Sequence, residues 1–117
     1  MRPFSVLFVE DDWLTLQAYE DWAESYGWVY QTARSVEHAE SLLRQGGDLD
    51  AIVLDDYVGP WRGFHLLPTI RERHPKAYVV SASSIPTSPD HYPGIPYVEK
   101  PTVCRHLLHQ RALRDVG

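Results

Sequence analysis

Two apolar runs punctuate the chain, and each ends in acids. Val6-Leu7-Phe8-Val9 runs into Glu10-Asp11-Asp12, and Ala51-Ile52-Val53-Leu54 runs into Asp55-Asp56. Runs this long read as strands buried on both faces, and Gly47 before the second run and Gly59-Pro60 after it leave little room for a helix there. Between them the period changes. Leu16, Tyr19, Ala23 and Tyr26 recur at helical spacing, which predicts a helix over Trp13 to Tyr26, with Asp12 as its cap and Gly27 at its end. Trp28 to Thr32 has strand composition. Ser35 is placed to cap a helix over Val36 to Gln45, whose apolar stripe is Val36, Ala39, Leu42 and Leu43.

After the loop Tyr57 to Gly63, a third helix is predicted over Phe64 to His74, short or kinked because Pro68 falls inside it. Tyr78 to Ala82 reads as a strand. Pro86, Pro89, Pro93, Gly94 and Pro96 then make a regular helix improbable between Ser83 and Pro96. A short strand, Tyr97 to Glu99, precedes a last helix from Thr102 to about Asp115. Strands alternating with helices predict a parallel sheet covered on both faces. The expected class is α/β, a flavodoxin-like, doubly wound, five-stranded parallel sheet of order 2-1-3-4-5, its fourth helix short or missing. That order sets the first and third strands side by side at the switch point, where ligands bind. Glu10, Asp11 and Asp55 then meet at one sheet edge. Carboxylates so close repel unless a cation sits among them.

Composition narrows the function. The chain has 117 residues, 44% hydrophobic and 23% charged, which suits one globular domain over 1–117. A formal charge of −5 argues against direct nucleic-acid binding through phosphates. Cys104 has no second cysteine to pair with, which fits a reducing compartment, and the expected location is cytoplasmic. No stretch is long enough to span a bilayer, and no membrane partner is expected. The six histidines are scattered and read as surface residues rather than metal ligands. Trp13 and Trp61 flank the acids in sequence and read equally well as gates or as covers for apolar surface.

Val9-Glu10-Asp11-Asp12, Leu54-Asp55 with Gly63 downstream, Ser81-Ala82 and Tyr97-Val98-Glu99-Lys100-Pro101 occur in that order, each at a predicted strand end. Over nearly the whole chain this pattern resembles the receiver domain of two-component response regulators. The resemblance implies that Asp55 is the phosphoacceptor, taking a phosphoryl group from a phosphohistidine on a sensor histidine kinase or a phosphotransfer protein. It implies Mg2+ held by Glu10, Asp11, Asp55 and the backbone carbonyl of Tyr57. Lys100 matches the lysine that pairs with a phosphoryl oxygen, and its bond to Pro101 is cis in that family. Ser81 matches the switch hydroxyl, with Ser83 as the alternative, and Tyr97 matches the aromatic that turns inward with it. Asp56 follows the acceptor and is expected on the other side of the strand, solvated in the loop.

Nothing resembling an effector domain follows the last helix, so the expectation is a stand-alone regulator, or equally a piece of a longer one, that signals through protein contacts rather than an enzyme acting on other substrates. The rival reading is a pseudo-receiver, a binding module that switches without phosphate. A metal-dependent phosphatase is a third class, but Tyr57 stands where such enzymes place a second acid. Tyr57 also predicts a long-lived acyl phosphate, because a bulky side chain two residues past the acceptor can obstruct the hydrolytic water.

Overall fold

The computed structural model describes residues 2–83 and 94–116. Its elements are β1 (Ser5–Val9), α1 (Trp13–Ser25), β2 (Val29–Ala33), α2 (Val36–Arg44), β3 (Ala51–Asp55), β4 (Tyr57–Val58), β5 (Trp61–Arg62), α3 (Leu67–Arg73), β6 (Tyr78–Ser83), β7 (Tyr97–Glu99) and α4 (Val103–Val116). Five strands form one parallel sheet in the order β2-β1-β3-β6-β7. This is the expected order, since β4 and β5 form a separate two-residue antiparallel hairpin. That hairpin replaces the plain loop read from the sequence. Gly59, with φ +61, turns the chain between Val58 and Trp61, a conformation that L side chains rarely adopt. The helix doubtful between β6 and β7 concerns residues 84–93, which lie outside the described residues.

Alternation sorts the sheet's side chains into two cores. Phe8, Val53, Val80 and Ala82 pack with Leu16 and Tyr19 of α1 and with Val103, Cys104 and Leu107 of α4. Leu7, Val9, Ile52 and Leu54 pack on the other face with Ala39 and Leu43 of α2 and Ile70 of α3. Covering both faces is what allows β1 and β3 to be apolar throughout. Full burial of side chains such as Phe8 or Leu16 contributes about 1.5–3 kcal/mol each.

Helix ends follow local chemistry. Asp12 Oδ2 accepts hydrogen bonds from the Thr15 amide at 2.9 Å and its hydroxyl at 2.6 Å, which starts α1 directly after the acids. Ser35 Oγ accepts from the His38 amide and starts α2. A 3₁₀ turn, Gly63–Leu66, leads into α3, so Pro68 falls in the first turn, where its missing N–H goes unmissed. The third helix is accordingly short rather than kinked.

Candidate functional site

Parallel register brings the predicted residues to one edge. Val9 of β1 pairs with Leu54 of β3, so Glu10, one residue past β1, and Asp55, the last residue of β3, stand at neighbouring strand ends. Asp55 pairs with Ala82, and the row Ala51, Val53, Asp55 faces α1 and α4. Suitable oxygens of Glu10, Asp11 and Asp55 all lie within 4.8 Å of one another. Glu10 and Asp55 are buried and Asp11 is exposed. Glu10 Oε1 accepts from the Asp12 amide at 3.0 Å, and Asp11 Oδ2 accepts from the Gly59 amide at 2.9 Å. The second bond ties the hairpin tip to the acids.

Lys100 enters from the 3₁₀ turn Lys100–Thr102 that follows β7. Its Nζ lies 2.8 Å from Glu10 Oε2 and 3.2 Å from Asp55 Oδ1. No cis peptide bond occurs among the described residues, and Lys100 reaches both acids in this arrangement. One ammonium faces two buried carboxylates, with the exposed Asp11 carboxylate beside them. Burial, then hydrogen bonding with Glu10 and its charge, push the Asp55 carboxyl up to about 8, while Lys100 opposes the rise. Burial disfavours the Lys100 ammonium, but Glu10 and Asp55 outweigh that and raise its pKa. The donors are all hard oxygens, a set suited to a divalent cation and poorly suited to softer metals.

Ser81 and Ser83 differ in place. Ser81 pairs with Leu54 and with Tyr97, in the row that faces α2 and α3, and its buried Oγ has no hydrogen-bond partner among the described residues. Ser83 lies one residue past Ala82, the partner of Asp55, and is paired with Glu99 beside Lys100. Tyr97 is half-buried on β7. Trp13 and Trp61 are more than half exposed at the site's margin, Trp13 under the Arg34 guanidinium at 5.3 Å.

Two expectations fail. His74 is not a surface residue but is buried, its Nε2 lying 2.9 Å from the Leu43 carbonyl oxygen. Asp56 does point away from Asp55, but it is buried rather than solvated, because Arg62 Nη2 meets its Oδ1 at 2.6 Å. Strand alternation gave the direction, and the cation lay on a hairpin the sequence did not disclose. Gly63 is also tightly placed, since a Cβ there would collide with the carbonyl oxygen of Asp55.

Solved structures share this architecture. A CheY-like receiver domain from Methanospirillum hungatei JF-1 matches with a TM-score of 0.81 at 18% identity, over 97% of this chain and 94% of that one. Chemotaxis protein CheY4 of Vibrio cholerae matches at 0.80 and 20%, over 99% of this chain and 100% of that one. The chain has the fold of a response-regulator receiver domain. A response regulator from Burkholderia pseudomallei, solved with a phosphorylated aspartic acid and a calcium ion, shares this receiver fold at a TM-score of 0.75 and 17% identity, over 95% of this chain and 74% of that one. In sequence, the chain is 32% identical over 116 residues to the transcriptional regulatory protein CitT of Halalkalibacterium halodurans, covering 92% of this chain. It spans 50% of that relative's length. No family model matches. Among the described residues, no helix is long and apolar enough to cross a membrane.

Proposed function

We propose that residues 1–117 form a receiver unit that accepts a phosphoryl group on Asp55 and signals through protein contacts. The observation that carries this reading is the meeting of Glu10, Asp11 and Asp55 with Lys100 at the switch-point edge of a receiver fold. The donor is a phosphohistidine on a sensor histidine kinase or a phosphotransfer protein, and the recipient of the signal is another protein.

In the transfer, an Asp55 carboxylate oxygen attacks phosphorus. The O–P bond forms as the P–N bond breaks, and the electron pair returns to the imidazole nitrogen. The Lys100 ammonium, already within reach of Asp55, pairs with a phosphoryl oxygen. Glu10, Asp11, Asp55 and the Tyr57 carbonyl would hold Mg2+, which would supply positive charge against the transferring group and favour the ionised form of Asp55. The register favours Ser83 over Ser81 as the hydroxyl that meets the phosphoryl group, because Ser81 lies level with Leu54, inside the sheet, whereas Ser83 stands one residue past the level of Asp55, beside Glu99 and Lys100. Tyr97, the neighbour of Ser81 on β7, is the aromatic that responds to the change.

The product is an acyl phosphate, which separates this reading from modification at a serine. Incubation with phosphoramidate and Mg2+ should label the chain in a form that hydroxylamine strips. A hydroxylamine-resistant label overturns the assignment to Asp55.

A further inference from the structure

Arg62 has no part in the motifs read from the sequence, yet it holds the backbone beside the acceptor. Its Nη2 and Nε contact Asp56 Oδ1 at 2.6 Å and 3.1 Å, and Nε also approaches the Asp56 carbonyl at 3.4 Å. The guanidinium lies 4.6 Å from the centre of the Tyr57 ring and 5.7 Å from that of Phe64. Asp56 is itself fixed at both backbone groups. Its amide donates to the Ala82 carbonyl at 3.0 Å, and its carbonyl accepts from the Gly63 amide at 2.9 Å. Across the hairpin, Tyr57 pairs with Arg62.

These contacts converge on the short segment that carries Asp55 and the Tyr57 carbonyl. Arg62 grips the residue between them and one of its flanking rings. Two nitrogens of one planar guanidinium converge on Oδ1 of the buried carboxylate while Nε also reaches the carbonyl of the same residue, a set of contacts that a lysine ammonium would not reproduce. Asp11 holds the other end of the hairpin through the Gly59 amide. The hairpin is therefore anchored at its base by Arg62 and at its tip by a proposed metal ligand.

We propose that Arg62 is a positioning residue. Through Asp56 and Tyr57 it holds the end of β3 so that Asp55 and the Tyr57 carbonyl face the same cation site. The inference rests on the phosphoacceptor reading for its purpose, while the anchoring itself can be read in the metal-free protein. Groups that orient metal ligands typically change metal affinity 10–100-fold when removed.

Two measurements on the full chain decide it. Calorimetric titration with Mg2+ should show affinity about tenfold weaker in Arg62→Met than in wild type, with Arg62→Lys between them because it keeps the charge and loses the fork. In the metal-free protein, amide hydrogen exchange at Gly63 and Asp56 should be about tenfold faster in Arg62→Met, while the amides of β1 exchange as in wild type. A merely structural ion pair would speed exchange and leave Mg2+ affinity unchanged, and that result overturns the proposal. If Arg62→Met does not fold, the same two comparisons on Arg62→Lys decide. A wild-type chain that binds Mg2+ but takes no phosphoryl group refutes the phosphoacceptor reading and leaves the positioning inference to these measurements.

Discussion

Lys100 Nζ stands 2.8 Å from Glu10 Oε2, a buried ion pair that ties the loop after β7 to the end of β1. The same ammonium reaches Asp55 on the strand between them in the sheet. One cation thus stitches three strand ends together. Removing it leaves buried carboxylates facing each other.

Lys100→Met should therefore lower the stability of the metal-free protein by about 3 kcal/mol, the usual cost of orphaning a buried charge. Mg2+ should restore most of that loss, because a divalent cation can take up the same carboxylates. Urea unfolding with and without Mg2+ reads both effects. Equal losses in the two conditions would contradict the shared cation site.

Asp55 carries a pH signature. Burial and Glu10 push its carboxyl from 3.8 up to about 8. Between those values the folded chain keeps a proton that the unfolded chain has released. Stability of the metal-free protein consequently falls as pH rises from about 4 through 8. Asp55→Asn cannot titrate, so its stability should vary less over that window. By pH 8 its melting midpoint should exceed that of wild type by on the order of 5 °C. Parallel pH profiles for the two proteins would refute the shift.

Much of this was legible in the residues. Val6 to Val9 and Ala51 to Leu54 are apolar throughout because both sheet faces are covered, and that pattern survives any choice of partner. Their order, with helices between, admits few topologies, so the meeting of Glu10 with Asp55 followed. The serines were harder to place. Whether Ser81 or Ser83 stands beside Asp55 depends on a register of one or two residues, which β6 fixes by pairing Asp55 with Ala82. The Asp56–Arg62 pair was invisible because Tyr57 to Arg62 looked like an ordinary turn. Its pairing depends on Gly59 folding two dipeptides together, too short a hairpin to leave a periodic signal.

Tyr57 gives the proposed phosphorylation of Asp55 a kinetic test. Its side chain is half exposed and stacked against Arg62, two residues past the acceptor. A ring held there would stand in the way of water approaching the acyl phosphate proposed for Asp55. Tyr57→Ala should speed loss of the phosphoryl group roughly tenfold, about 1.4 kcal/mol in barrier. An unchanged decay, followed by mass after the donor is removed, would dismiss the shielding role.

The most direct test of the whole account is intact mass after incubation with a small phosphoryl donor, for wild type and Asp55→Asn, with and without Mg2+. The account predicts one added phosphoryl group on the wild-type chain, dependent on Mg2+ and absent from Asp55→Asn. A wild-type chain whose mass does not change, or an adduct that persists in Asp55→Asn, would contradict it.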